Sequence, residues 1–235
     1  MKTNRPQRRG FTLVELLVVI AILAVLAGFA TPQLLRQKKK GDLMQATNNI
    51  RQVGLALTDF EQEYGSYPDH STAETVKQNT ETQLDLSGTT ANDYFRQLIA
   101  SDICKSETIF YAKTGFTKKP DDVLNTTETA LGKGEVGFGY IMNGESGFST
   151  SGSPSRPILA APLLFPFADG QFDADTYDSN AVIWKVDGSA TSVRISTTKQ
   201  AQLGGGKRLL QTGAGTVWGE EGVATPRIAN PLPNK

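Results

Sequence analysis

The feature that most constrains this sequence is an apolar segment close to its start. Residues 16–30 are fifteen consecutive residues without a charged or strongly polar side chain, and nothing else in the 235-residue chain resembles them. The wider segment, residues 11–31, forms a helix of about 31 Å at about 1.5 Å per residue, which matches the roughly 30 Å hydrocarbon core of a bilayer. The segment is therefore long enough and apolar enough to cross a membrane.

Basic residues flank this segment on both sides. Residues 1–10 carry four basic residues and no acidic one, a charge of +4 that is typical of a leader held in the cytoplasm. Arg36 and the three lysines at residues 38–40 follow the segment, so charge counting does not decide its orientation. We interpret this second group as a solvated helix face, with contact to anionic head groups or to acidic surfaces of neighbouring subunits as the alternative.

Glu15 lies at the very edge of the apolar segment, where an ionised carboxylate needs a partner. Cleavage of the chain after Gly10 would create a new ammonium group on Phe11, one helical turn away. The pair could form within one subunit or between two, and pairing between subunits would fix their axial register. This arrangement suggests self-assembly.

The residues from Arg8 to Glu15, RRGFTLVE, followed by an apolar helix, resemble the class III leader of type IV pilins and type II secretion pseudopilins. In that family a membrane-bound prepilin peptidase cuts after the glycine and methylates the new N-terminal phenylalanine, and the mature subunits polymerise through their helices. The resemblance implies cleavage between Gly10 and Phe11, N-methylation of Phe11, and a role for Glu15 in subunit assembly. Pro32 matches the helix-kinking proline of the family, and an ordinary helix end is the alternative.

Two other kinds of N-terminal signal compete with this interpretation. Gly28 and Ala30 are small residues at the two positions that an ordinary signal peptidase requires, and RRGFTLV faintly resembles a twin-arginine signal. Neither signal needs a carboxylate at Glu15, whereas a filament-forming helix does. Glu15 therefore favours the pilin-type interpretation.

A heptad pattern continues beyond the apolar segment. Apolar or small side chains recur alternately three and four residues apart at Leu43, Ala46, Ile50, Val53, Leu57, Phe60 and Tyr64. This seam predicts one long amphipathic helix over residues 11–64 that is covered by a head domain, with a coiled coil as the alternative. Gly65 and Pro68 end it. Residues 60–68 also resemble the helix end of major pseudopilins, and the chain has no cysteine pair, which favours a secretion pseudopilin over an adhesive pilin.

The remaining residues, 65–235, predict a periplasmic or extracellular head of the α+β class. We expect a loop with at most a marginal helix over residues 69–88, a short helix beginning near Thr90, and strands at residues 108–112, 136–142, 157–161, 181–186 and 189–195. Asp187-Gly188 predicts a hairpin between the last two strands. Long loops rich in Gly and Ser occupy residues 143–157 and 204–222. The fold expected is a long N-terminal helix packed on a small antiparallel sheet.

The composition argues against an enzyme and against a nucleic-acid partner. Lys+Arg 24 equals Asp+Glu 24, and the chain has one histidine, His70, and one cysteine, Cys104, so most His-dependent catalysis and Cys/His zinc sites are excluded. We expect His70 to lie in a surface loop and Cys104 to be a small buried residue. An acidic loop offers four carboxylates that could hold calcium, with simple solvation as the alternative: Asp169, Asp173, Asp175 and Asp178.

These observations predict a basic leader at residues 1–10, a long helix at 11–64 whose part 11–31 spans the inner membrane once, and a periplasmic head. By resemblance, the partners are other copies of the subunit in a filament, the prepilin peptidase and the inner-membrane assembly platform of a secretion system. The expected function is that of a structural subunit of a type II secretion pseudopilus, which supports protein export. The alternatives are a type IV pilin for adhesion, motility or DNA uptake, and a secreted binding or hydrolytic module behind an ordinary signal peptide.

Overall fold

The computed structural model of the chain describes residues 11–220 and 222–234. The predicted leader, including Gly10, lies outside these residues. The chain divides into two compact units, Met1–Lys39 and Lys40–Lys235. The sheet, two shorter helices and the hydrophobic core all belong to the second unit.

One helix, α1, begins at Leu13 and ends at Tyr64. It ends as predicted, because Gly65 adopts a left-handed conformation with φ +86° and its amide donates to the carbonyl of Glu61 at 2.7 Å. Pro32 lies inside α1, so the alternative of a helix end at Pro32 is wrong. A kink at Pro32 stays a prediction.

The second part of α1 packs into the core of the second unit along the predicted seam. Its fully buried side chains are those of Ala46, Ile50, Val53, Leu57 and Phe60. Leu43 and Tyr64, at the two ends of the seam, are partly buried against the same core. The head therefore covers the seam, and the seam is not left free for a coiled-coil partner.

Five strands form one antiparallel sheet in the order β4-β3-β2-β1-β5. They are β1 (Gly139–Asn143), β2 (Pro157–Ala161), β3 (Asn180–Lys185), β4 (Ala190–Arg194) and β5 (Pro226–Ala229). The predicted β3–β4 hairpin is confirmed, because Gly188 has φ +80° and Lys185 exchanges backbone hydrogen bonds across the turn with Ser189 and Gly188. The α+β class, with a long helix packed on an antiparallel sheet, is also confirmed.

Gly54 allows the helix and the sheet to approach each other closely. A Cβ atom at this position would lie 2.1 Å from Cε2 of Trp184, so only a glycine fits under the indole ring. Trp184 lies on β3, is fully buried, and makes an edge contact with Tyr67 at 6.3 Å between ring centroids. The glycine that weakens the helix by propensity thus creates the space for its packing.

Two shorter helices lie between α1 and the sheet in the sequence: α2 (His70–Thr80) and α3 (Ala91–Ala100). The start of α3 is confirmed, because Thr90 caps it and forms a capping box with Asp93. Residues 69–88 were expected to hold at most a marginal helix, and this is wrong for the first half, where α2 is a capped helix of 11 residues. Asp69 caps α2 by accepting from the amides of Ser71 and Thr72 at 2.8 and 3.0 Å, which compensates for the polar composition of this helix.

Three further expectations need correction. The strand expected at residues 108–112 is wrong, because Thr108–Phe110 is a 3-10 helix and Asn49 Nδ2 donates to the carbonyls of Thr108 and Tyr111 at 3.0 and 2.8 Å. The strand expected from residue 136 begins only at Gly139, and β5 was not expected at all. His70 begins α2 and does not lie in a loop, while Cys104 is buried as predicted.

Candidate functional site

The candidate site is the start of α1, where the predicted processing and assembly residues lie. Phe11 and Glu15 are described by the structure, whereas Gly10, on the other side of the predicted cleavage point, lies outside the described residues. The side chain of Phe11 is 78% exposed.

Glu15 is part of a capping box with Thr12. Oε2 of Glu15 accepts from the backbone amide of Thr12 at 2.9 Å and from its hydroxyl at 2.8 Å, and the Thr12 hydroxyl oxygen accepts from the Glu15 amide at 3.2 Å. These bonds satisfy amides that the first turn of a helix leaves without partners, and a carboxylate there complements the positive end of the helix dipole. The sequence pattern Thr-x-x-Glu carries this signal, but sequence reasoning missed Thr12.

The capping box leaves part of the Glu15 carboxylate free. Both hydrogen bonds from Thr12 go to Oε2, and Oε1 accepts none of the hydrogen bonds formed among the described residues. Glu15 can therefore stabilise the start of its own helix and present its second oxygen to another cation. An ammonium group on Phe11 of a neighbouring copy has the charge to fill that position.

The first part of α1 exposes an unbroken set of apolar side chains. Its large apolar residues between Leu13 and Leu35 are from 44% to 78% exposed. Among the described residues, α1 is the only helix that is long and apolar enough to cross a membrane, and none of its most apolar stretch is buried within the chain. Such a surface needs lipid or other protein chains to cover it.

Pro32 lies within α1, where it cannot donate a backbone hydrogen bond to the preceding turn. The hydroxyl of the preceding residue, Thr31, donates to the carbonyl of Ala27 at 2.8 Å. A threonine hydroxyl bonded to the residue four positions before it is often found where a helix bends. Both features loosen α1 at this point, which is consistent with the predicted kink.

The acidic loop does not gather its carboxylates in this structure. Oδ1 of Asp173 accepts from the amide of Asp175 at 2.9 Å and Oδ2 accepts from the hydroxyl of Thr176 at 2.6 Å, so Asp173 stabilises a turn of its own loop. Asp169 and Asp178 are exposed, and no three of the four carboxylates lie close enough together to hold one ion. The four carboxylates are not gathered around one point in the structure, and calcium binding by this loop stays a prediction.

Three acidic groups that sequence reasoning did not single out lie close together in the head. Suitable oxygen atoms of Glu107, Asp121 and Glu135 lie within 4.8 Å of one another, and among the described residues this is the only such group. Glu107 and Glu135 are buried, and Asp121 is exposed.

Backbone amides donate hydrogen bonds to the two buried carboxylates of this group, and one lysine forms an ion pair with one of them. Glu107 accepts from the amides of Leu131 and Asp122, the latter at 2.9 Å, and Glu135 accepts from the amide of Gly132 at 2.7 Å. The Lys118 ammonium lies 3.1 Å from the second oxygen of Glu135. Burial raises the pKa of Glu107 to about 7, and repulsion from Glu135 also raises it. These groups therefore tie the long loop over residues 117–135 to the core.

Comparison with known families and proteins points to the N-terminal segment. Residues 5–31 match the family described as "Prokaryotic N-terminal methylation motif". The match includes the predicted cleavage point, the capping box and the apolar first part of α1. It does not extend to the head.

Several curated proteins are similar to the chain. "Type II secretion system core protein G" of Pectobacterium carotovorum subsp. carotovorum is 40% identical over 62 residues, which cover 26% of this chain and 40% of that protein. The protein of the same name from Aeromonas hydrophila is 28% identical over 149 residues, 61% of this chain and 90% of that protein. "Type IV major pilin protein PilA" of Myxococcus xanthus (strain DK1622) is 34% identical over 71 residues, 29% of this chain and 32% of that protein.

The chain thus spans less than half of the length of the Pectobacterium relative. No solved structure matches the chain. The family match covers residues 5–31 only, and the function of the whole protein is therefore a proposal.

Proposed function

The start of this chain is a prokaryotic N-terminal methylation motif, and on this premise we propose that the protein is a structural subunit of a type II secretion pseudopilus. It is made as a prepilin, cleaved between Gly10 and Phe11, and N-methylated on Phe11. The mature subunits polymerise through α1 and support protein export. The covalent chemistry is carried out on the subunit by the prepilin peptidase, and no catalytic role is proposed for the subunit itself.

The observation that carries this proposal is the difference between the two parts of α1. The second part buries its seam against the head, with Ile50, Val53 and Phe60 fully buried. The first part buries none of its large apolar side chains within the chain. A single subunit thus buries only the second part of α1. The apolar side chains of the first part would be covered by lipid before assembly and by other copies of α1 after assembly.

The proposed location follows from the same features. An apolar first part of α1 and the relatives named core protein G fit an anchor in a membrane. The leader with its charge of +4 favours a cytoplasmic N-terminus. We place the subunit in the inner membrane with one pass and with the head in the periplasm, where the assembly platform of the secretion system would extract it into the pseudopilus.

Glu15 has two successive roles in this proposal. In the precursor its Oε2 atom closes the capping box with Thr12, which fixes the start of α1. After cleavage its Oε1 atom pairs with the ammonium of Phe11 on an adjacent subunit, which sets the register between subunits. An ammonium left unpaired in the apolar filament core would cost several kcal/mol, so the pairing selects correctly aligned subunits.

Substitutions at Glu15 and Thr12 separate these two roles. Glu15→Val makes the segment more apolar and keeps the Gly10–Phe11 bond, so insertion and cleavage should continue while incorporation into filaments fails. Glu15→Gln should fail similarly, because it keeps the size and an acceptor oxygen but loses the charge. Thr12→Val is the matched control, because it removes the hydroxyl of the capping box and keeps the carboxylate, and it should still assemble.

The measurement compares the cleaved subunit in membranes with the subunit in sheared filaments by immunoblotting. Equal assembly of Glu15→Val and the parent would show that the charge pair is not needed and that packing of the apolar helices suffices. Equal loss in Glu15→Val and Thr12→Val would assign the role of Glu15 to the capping box alone.

A type IV pilin for adhesion, motility or DNA uptake is the second candidate, and the similarity to the major pilin of Myxococcus xanthus favours it. Electron microscopy of cells that express the protein at its native level distinguishes the two, because a pilin gives long surface filaments and a pseudopilin does not. A secreted binding or hydrolytic module behind an ordinary signal peptide is disfavoured. Cleavage after residue 30 would cut through the continuous helix α1.

A further inference from the structure

A cavity of about 240 Å³ lies in the second unit, at the end of the sheet where β3 turns into its hairpin. One wall contains Ser155 and Lys185, and the facing wall is formed by the loop over residues 203–217. Its charged lining residues are Lys185, Lys207 and Arg208. All three are basic, and no acidic residue is among the described residues that line the cavity.

Backbone hydrogen bonds hold both walls in place. The amides of Val186 and Asp187 donate to the carbonyls of Arg156 and Pro154 at 3.0 and 2.9 Å, which fixes the segment with Ser155 beside the end of β3. On the facing wall, the amide of Leu203 donates to the carbonyl of Lys207 at 2.7 Å. The cavity is therefore shaped by the fold and does not depend on the positions of surface side chains alone.

Hydrogen bonds hold one of the three cations, Lys207, and all three keep hydrogen-bond donors available. Nζ of Lys207 donates to the carbonyls of Ala214 and Gly215 at 3.1 and 2.7 Å, which fixes the ammonium and leaves its third proton free. Lys185 and Arg208 form none of the ion pairs found among the described residues. Cationic groups that line one cavity repel one another, and a bound anion relieves this repulsion.

Acidic residues near the cavity do not line it. Asp187 follows Lys185 by two residues at the tip of the hairpin, where its Oδ1 accepts from the amide of Ser189 at 2.9 Å. Asp169 lies in an adjoining smaller cavity that shares Arg208. Neither aspartate comes within ion-pair distance of the three cations. Within the described part of the chain the three cations thus form no ion pair with a carboxylate, although the charge of Lys185 contributes to lowering the pKa of the nearby Asp187.

We propose that this cavity binds a small ligand through a phosphate monoester group. A phosphate monoester carries a charge of about −1.5 to −2 at pH 7 and three acceptor oxygens, which suits three cations that face one space, whereas a carboxylate offers one charge. The volume is below the roughly 300–1,000 Å³ of pockets that take drug-sized ligands, so the organic part of the ligand is small. Leu203 and Val217 provide apolar contacts for that part.

Isothermal titration calorimetry of the full-length protein in neutral detergent tests this proposal with inorganic phosphate, glycerol phosphate and acetate as probes. We expect saturable binding of both phosphates and much weaker binding of acetate. Affinity should rise between pH 5.5 and 7.5, because the second phosphate pKa is about 6, and it should fall with added salt.

Charge-removing variants connect the binding to the cavity. Lys185→Gln and Arg208→Gln should each raise the dissociation constant for glycerol phosphate about tenfold, because each removes one charge-assisted hydrogen bond. Lys133→Gln is the matched control, since Lys133 is exposed and lies outside the cavity, and it should leave binding unchanged. Unchanged melting temperatures of the variants would show that they fold as the parent does.

The same phosphate chemistry could come from a soluble ester or from a lipid head group. Titration of glycerol phosphate into protein in phosphatidylcholine nanodiscs, with and without phosphatidic acid, distinguishes them, because a lipid ligand would compete and raise the apparent dissociation constant. Absence of saturable phosphate binding, or equal binding by Lys185→Gln, Arg208→Gln and Lys133→Gln, would overturn the proposal. Equal affinity for acetate and phosphate would overturn the assignment of a phosphate ligand.

Discussion

The contact between Gly54 and Trp184 makes a sharp prediction about how α1 packs on the sheet. In Gly54→Ala the new Cβ would lie 2.1 Å from Cε2 and 2.3 Å from Nε1 of the indole, whereas ordinary contact begins at 3.4 Å. The ring would have to move by about 1 Å in a core where Trp184 is fully buried. The helix cannot accept an alanine here without displacing β3 or itself.

The magnitude follows from two opposing effects. Overpacking of this kind costs up to about 3 kcal/mol, while alanine gains about 1 kcal/mol of helix propensity over glycine. Gly54→Ala should therefore lose about 2 kcal/mol of unfolding free energy, which lowers the melting temperature of a domain of this size by about 4–8 °C. Gly41→Ala is the matched control, because it lies on the same helix with no atom within 4 Å of a new Cβ. It should gain up to about 1 kcal/mol.

Differential scanning calorimetry of the full-length protein in neutral detergent measures both effects. In a Trp184→Ala background the indole is gone, so Gly54→Ala should cost nothing and show only the propensity gain. If Gly54→Ala were as stable as Gly41→Ala in the parent background, this result would refute the close packing of Gly54 of α1 against Trp184 of β3.

Two further predictions concern the acidic groups of the head. Burial raises the pKa of Glu107 from 4.5 to about 7, so the folded state holds an extra proton between these values and its stability should fall as the pH rises through this range, by at most about 3 kcal/mol. Glu107→Gln should remove this decline in urea unfolding at pH 5 and pH 8, and parallel pH curves for parent and variant would contradict the assignment. Calcium binding by the acidic loop predicts that a chelator lowers the melting temperature and that Asp173→Ala abolishes the difference. An unchanged melting curve would leave the loop simply solvated.

The helical seam and the central hairpin could be predicted because their signals are local. The seam repeats every three and four residues from Leu43 to Tyr64, and the Asp187-Gly188 turn lies between two runs of strand-forming residues. Neither pattern depends on contacts with distant residues. The bounds of β2 were also predicted correctly, because residues 157–161 are all buried and continuously apolar.

The elements that sequence reasoning missed depend on distant contacts. Residues 108–112 have the composition of a strand, but Asn49 on α1 binds two carbonyls there and Phe110 is drawn into the core, so a 3-10 helix forms. The strand β5 begins with Pro226 and pairs with β1, which lies more than 80 residues earlier in the chain. A short segment that starts with proline carries little strand signal of its own.

The candidate site was predictable only in part. Glu15 could be singled out because a carboxylate at the edge of an apolar segment needs a partner. The structure shows a second role for it, the capping box with Thr12, and the sequence pattern Thr-x-x-Glu already indicates that role. The four aspartates of the acidic loop are close together in the sequence but not in space. In space Asp173 is used by its own turn, and the carboxylates that come together are those of Glu107, Asp121 and Glu135.

The central claim is that the chain is processed as a prepilin, and mass spectrometry of its mature N-terminus tests this most directly. The protein is expressed in a host with a prepilin peptidase, isolated from membranes and digested, and the N-terminal peptide is identified. The account predicts a mature chain that begins at Phe11 with a methylated amino group. A mature chain that begins at Thr31 would contradict it, because that start would place the first part of α1 in an ordinary signal peptide.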